Sequence, residues 1–180
     1  QGAFYAIQAA IAFSMMGALI KAASVGMPNE MIVFTRCFIG LVILTPWALR
    51  IGLRQALATR RWGGHLLRAG FGIVAMYCFF YALGTLPLAK AMLLTYSMPL
   101  FLPLVGAASG LFGAGAMVGI RRISNTEPAP RIVMYFALIA TGLSAVPLAW
   151  AWATPTATQA VLMIAAGAVA TFGQLCMTRA

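Results

Sequence analysis

The chain has 180 residues, 63% of them hydrophobic and only 8% charged, with a net charge of +10 and a mean hydropathy of +0.96. A soluble domain carries about 25% charged residues, so a soluble surface is excluded. The apolar stretches are helix-length, not the roughly 10-residue alternation of an outer-membrane barrel, which points to an all-α polytopic membrane protein.

The first span is predicted from about Gly2 to Ser24, uncharged until Lys21. Gly26, Pro28 and Asn29 make the turn. The second runs from about Glu30 to Leu49 and holds Arg36 inside it. A short basic segment, Arg50 to Arg68, follows with five arginines, His65 and a Gly63-Gly64 break. The third span runs from about Ala69 to Leu86, closed by Gly84 and Pro87. A fourth begins near Leu88. A polar loop from Arg121 to Arg131 precedes a span at about Ile132 to Thr154. Thr154-Pro155-Thr156 turns the chain into a last span, Ala160 to Met177. Trp47, Trp150 and Trp152 fall at span ends, where amphipathic rings favour the interface.

The basic residues lie between spans, which marks cytoplasmic loops rather than a nucleic-acid surface. The Arg50–Arg68 segment is therefore placed inside and the Gly26 and Gly84 turns outside. Cys37, Cys78 and Cys176 lie in apolar runs without metal-ligand spacing and read as free buried thiols. The first apolar run lacks the marks of a signal peptide. Gln1 at one end and an apolar run at the other lead us to expect that both ends are cut.

Ala91 to Ile120 is uncharged over its whole length. As one helix it would be about 45 Å long, against a hydrocarbon core of about 30 Å. It is too short for two spans of about 20 residues and a turn. If two spans did follow one another there, Arg121 and Arg122 would emerge outside. An echo at an offset of 100 bears on this: Lys21 matches Arg121, Ser24 matches Ser124, Pro28 matches Pro128, and Ile32-Val33 matches Ile132-Val133. The first copy's turn is external and the second's cytoplasmic, so the copies are inverted, and inversion requires an odd number of spans per unit. A missing helix within the run satisfies both arguments better than one overlong helix.

Three stretches carry a family resemblance: YALGTLPLAKAMLLTYSMPLFLPL from Tyr81 to Leu104, NEMIVFTR from Asn29 to Arg36, and RRISNTEP from Arg121 to Pro128. Together they resemble the EamA-type members of the drug/metabolite transporter superfamily. The resemblance implies a ten-helix fold of two inverted five-helix repeats with both ends cytoplasmic, here incomplete, with about seven helices visible. Residues 1–106 would be the first repeat, helices one to four, with helix five absent. Residues 107–180 would be helices six to eight, with nine and ten absent. The join is expected near Gly106–Ala108, as omitted residues or as a genuine deletion.

The resemblance also implies a solute cavity between the repeats. The candidates for lining it are polar and aromatic residues at midspan. Gln8 and Ser14 lie in the first span, and Tyr77 and Tyr81 lie four apart in the third. Tyr96 and Ser97 lie beside Pro99, and Thr171 and Gln174 share a face of the last span. Each has a second reading as an inter-helix hydrogen-bonding group. Pro99 and Pro103 break the fourth span and free backbone carbonyls, which serves either a binding site or a packing kink. The paired glycines Gly106/Gly110 and Gly115/Gly119 permit close helix contact. Arg36 is a charge inside a span, expected either to attract an anionic group of the solute or to pair within the protein, with the internal partner favoured. Lys21 and Lys90 are expected to snorkel to the external face.

Glu30 and Glu127 are the only carboxylates and His65 stands alone, so no catalytic set is visible, and no metal cluster or cofactor motif. The expected function is secondary transport of small organic, amino-acid-like or other polar solutes across the inner membrane by alternating access. Multidrug export and a non-transporting scaffold subunit are the alternatives. The expected partners are the solute and the bilayer, with no nucleic acid.

Overall fold

The computed structural model describes residues 2–59, 62–85, 87 and 127–179. Among them are α1 (Gly2–Ala23), α2 (Asn29–Ile51), the one-turn α3 (Leu53–Ala56), α4 (Trp62–Thr85), α5 (Ala129–Leu148) and α6 (Ala157–Arg179). Five of these are long and apolar enough to span a bilayer, at about 1.5 Å rise per residue. Their outer faces are covered by side chains such as Ile7, Ile11, Val42, Val74 and Phe172, which suit lipid.

Contacts at the helix ends set the direction of each helix. Lys21 Nζ donates to the Gly84 carbonyl at 3.3 Å, joining the C-terminal ends of α1 and α4. Gln159 Nε2 donates to the Val25 carbonyl at 2.8 Å, bringing the start of α6 to the same end of the bundle. At the other end Arg131 donates to the carbonyls of Gln55 and Ala56, at 2.7 and 3.2 Å. Tyr135 Oη donates to Leu57 O at 2.7 Å. Thus α1, α4 and α5 run one way, and α2 and α6 run the other. The end of α4 and the start of α5 lie at opposite ends of the bundle. Arg50, Arg54, Arg131 and Arg179 gather at one end, with Lys21 and Glu30 at the other, the asymmetry expected of a cytoplasmic and an external face.

Helix α6 packs most extensively on α1, and small residues allow it. A Cβ on Gly173 would lie 3.1 Å from Ala12 Cβ, and one on Gly167 would lie 2.8 Å from Ile39 Cβ of α2. Lipid offers no hydrophobic drive between helices, so close contact of this kind holds them together.

Helices α2 and α5 form the centre. Each is preceded by an extended proline: Pro28 has φ −60° and ψ 143°, Pro128 φ −65° and ψ 141°. Seven buried positions keep the 100-residue offset, while Met31, Met134 and Tyr135 are buried without a buried counterpart. Ile32, Val33, Arg36, Cys37, Gly40, Leu44 and Ala48 are buried in α2, and Ile132, Val133, Phe136, Ala137, Ala140, Ser144 and Leu148 in α5.

Several predicted boundaries shift. The third span starts at Trp62 rather than Ala69, so Gly63 and Gly64 lie inside α4 rather than in a break. The real break is Gly52, whose φ of +86° suits glycine and turns α2 into α3. Helix α4 starts early because one buried stripe runs through His65, Ala69, Ile73, Met76, Phe80 and Leu83. Helix α5 stops at Leu148, not Thr154. Beyond Pro147 the chain tightens into turn bonds from Ala149 to Val146 O and from Trp150 to Pro147 O. Helix α6 starts at Ala157, not Ala160, on a reciprocal cap: Gln159 N–H donates to Thr156 Oγ1 at 3.3 Å, and Thr156 N–H to Gln159 Oε1 at 2.9 Å.

Candidate functional site

The side-chain candidates from the sequence fall on two different interfaces. On the α1–α6 side, Gln8 is half-buried and its Oε1 accepts the Cys176 thiol at 3.7 Å. It lines an open surface groove with Ile11, Ala12, Met15, Ala168, Val169 and Phe172, which is otherwise apolar. Thr171 is buried, but its hydroxyl is used within the helix, donating to Gly167 O at 2.8 Å. Gln174 is half-buried, and Ser14 is exposed on the outer face of α1.

On the α2–α4 side, Tyr77 is half-buried and packs against the core. Asn29 Nδ2 donates to its carbonyl at 3.1 Å. Tyr81 shares its helix face but is 66% exposed, because the buried stripe of α4 passes through Phe80 and turns away from it. Tyr96, Ser97, Pro99 and Pro103 lie outside the described residues, as do Lys90 and the glycine pairs from Gly106 to Gly119.

The densest polar grouping lies between α2, α4 and α5. At the end where α4 and α5 begin, His65 Nε2 lies 2.8 Å from Glu127 Oε2, with the two side chains 1% and 6% exposed. Thr59 Oγ1 donates to the other carboxylate oxygen. Tyr135 stacks on the His65 ring at 4.3 Å and meets Trp62 edge-on at 5.2 Å. His65, expected to stand alone in a basic loop, is therefore bonded and buried.

Deeper in, two arginines approach the Phe136 ring. The guanidinium carbons of Arg36 from α2 and Arg68 from α4 are each 5.5 Å from its centroid. The approach is possible because Gly72 has no side chain, since a Cβ there would lie 2.6 Å from Phe136 Cε2. Arg36 is 7% exposed. Its Nη1 reaches the Cys37 sulfur at 3.9 Å, and its Nε is buried without a hydrogen-bond partner. Arg68 Nη1 donates to Ile132 O at 3.1 Å. The internal partner expected for Arg36 is thus an aromatic ring rather than a carboxylate. Among the described residues Glu30 makes no ion pair with it, since six residues along a helix is poor same-face spacing.

Asn29 Oδ1, Tyr77 Oη and Thr141 Oγ1 are also buried without partners. The chemistry offered here is cationic, aromatic and hydrogen-bonding. Arg68, Phe136 and the His65–Glu127 pair were missed in the sequence because each depends on contacts between helices far apart in the chain.

Comparisons with known proteins agree with a transport fold. The EamA-like transporter family matches residues 1–109. The pseudopaline exporter CntI of Pseudomonas aeruginosa UCBPP-PA14 is 32% identical over 226 positions, covering 99% of this chain and 78% of the relative. The protein of the same description from strain PAO1 matches to the same extent. A riboflavin transporter of Vibrio cholerae is 29% identical over 104 residues, 56% of this chain and 35% of that protein. A match over 226 positions against a chain of 180 residues leaves at least 46 positions with no residue of this chain opposite them. No solved structure matches the chain. On its family match and its relatives, this multi-pass inner-membrane protein belongs to the EamA-like transporter family, within the drug/metabolite transporter superfamily.

Proposed function

We propose that the protein is a secondary transporter that moves small polar organic solutes by alternating access, through a site between two inverted repeats. The observation that carries this reading is the pairing of α2 with α5. They run in opposite directions, start from the same proline geometry, and share seven buried positions 100 residues apart. Two equivalent helices crossing a membrane in opposite senses are what an inverted repeat requires, and rocking of one repeat against the other then opens the site to each side in turn.

The first repeat is residues 1–106 and the second 107–180, in a ten-helix plan from which this sequence lacks a segment. We place the join near Gly106–Ala108, and two findings support a lacking segment. The family match stops at residue 109, and the exporter alignment has at least 46 positions without a residue here.

Flux in proteoliposomes tests the reading. The purified protein should exchange at least one solute from a panel of amino acids, opines and flavins loaded inside for label outside. Folded protein that exchanges none of them would point instead to a non-transporting scaffold. Exchange confined to lipophilic cations would favour the multidrug alternative.

A further inference from the structure

Among the described residues no carboxylate pairs with Arg36, which is buried, or with Arg68, which is half-buried. The chain holds two side-chain carboxylates, Glu30 and Glu127. Glu127 is bonded to His65 and Thr59, and the one ion pair among the described residues is His65–Glu127. Burying a guanidinium without a partner is unfavourable, and a charge inside a span is retained where it has a function. The ring of Phe136 offsets part of this cost through its negative face. It does not use the N–H groups, and Arg36 Nε remains unsatisfied. Two like charges are also held on one ring, each 5.5 Å from its centre, where they repel. A bound oxyanion would relieve the repulsion and give Arg36 Nε an acceptor at once.

We propose that Arg36 of α2 and Arg68 of α4, both over the Phe136 ring, form an oxyanion subsite that takes a carboxylate or phosphate group of the transported solute. Guanidinium forks match both groups geometrically, and a charge-assisted hydrogen bond in a low-dielectric setting is strong. The two arginines come from helices of opposite direction. An anion bridging them therefore ties α2 to α4 when loaded and releases them when it leaves, which couples occupancy to helix movement. The inference rests on the transport reading and narrows it to solutes with at least one anionic group.

The test is binding to the full chain in phosphatidylcholine nanodiscs, followed by thermal unfolding. Citrate and inorganic phosphate are the probes, and choline is the control. Citrate or phosphate should raise the unfolding temperature saturably, and choline should not. Arg36→Gln and Arg68→Gln should each weaken that binding about 10- to 100-fold. Arg36→Lys and Arg68→Lys keep the charge and guard against loss of folding; they should weaken it about 10-fold, because the fork is lost. An unchanged response in both Gln variants, or no response to either anion in the wild type, would overturn the subsite. So would an arginine-dependent shift that appears only when phosphatidylglycerol is added, since that assigns the site to a lipid headgroup. Solute flux is measured separately. Flux without arginine-dependent anion binding removes the subsite and leaves transport standing, and binding without flux does the reverse.

Discussion

His65 and Glu127, 62 residues apart in the chain, meet at 2.8 Å within the end of the bundle where α4 and α5 begin. Neither side chain reaches solvent to any extent. Thr59 and Tyr135 close around them, so this end of the α4–α5 contact is fastened by polar bonds rather than by apolar packing alone. Removing one partner leaves the other buried without its bond, at a cost of about 1–3 kcal/mol. His65→Ala and Glu127→Ala should each lower the unfolding temperature in detergent. The double variant should be less destabilised than the sum of the two. Additive losses in that cycle would mean that the pair contributes no coupling.

The glycines of the bundle separate into two kinds. Gly167 faces Ile39 Cβ at 2.8 Å with Arg36 O behind it, so an added methyl meets atoms that cannot rotate away. Gly72 faces the far end of the Phe136 ring, which can swing, though only by leaving one of its arginines. Gly63, Gly70 and Gly142 face open space. Gly167→Ala should therefore be the most destabilising, by about 1–3 kcal/mol from overpacking, and Gly72→Ala less so. Gly142→Ala should stabilise by about 0.5–1 kcal/mol through the helix preference of alanine. Unfolding midpoints of the three variants check the order. Gly72→Ala should also perturb anion binding, which Gly142→Ala should not.

Much of this architecture was legible in the sequence, because apolar length and charge asymmetry are strong signals in a chain with so few charges. Helices α1 and α2 and the orientation of their ends follow from that alone. The errors cluster where a charge or a glycine pair was taken as a boundary. His65 and Arg68 were assigned to a loop, yet both lie in α4, where His65 begins the buried stripe of Ala69, Ile73 and Met76. The start of α6 was readable and missed, since Thr156 and Gln159 have the spacing of a reciprocal cap. The site was less legible. Arg36 stood out as a charge within a span, but its neighbours Phe136 and Arg68 come from other helices, and nothing in the order of residues announces that contact. The hydroxyl and amide candidates could not be ranked either. Thr171 and Tyr77 look alike as midspan polar groups, and only packing reveals that one bonds its own helix while the other has a buried, unused hydroxyl.

That contrast yields a prediction for the tyrosines. The Tyr77 hydroxyl is buried and unpartnered, so Tyr77→Phe removes an unsatisfied group and should leave stability unchanged or slightly raised. If the hydroxyl serves the solute, the same variant should raise the KM of flux several-fold while folding is intact. Tyr81, two-thirds exposed on the outer face, should tolerate Phe with no change in KM. Equal kinetic effects from both variants would remove Tyr77 from the solute pathway.

The directions of the helices can be tested by labelling. Val25 and Trp150 are each 75% exposed and sit at the end of the bundle shared by Lys21, Gly84 and Gln159. Gln55 is exposed at the end shared by Arg131 and Arg50. The excess of arginine at the second end assigns it to the cytoplasm. In a background with Cys37, Cys78 and Cys176 replaced by Ala, Val25→Cys and Trp150→Cys should react with an impermeant maleimide added to intact cells, and Gln55→Cys only after the cells are opened. Reaction of Val25→Cys and Gln55→Cys from the same side would contradict the antiparallel course of α2. Reaction of Trp150→Cys from the side opposite Val25→Cys would contradict the parallel course of α4 and α5, and with it the inverted relationship of α2 to α5 on which the transport mechanism depends.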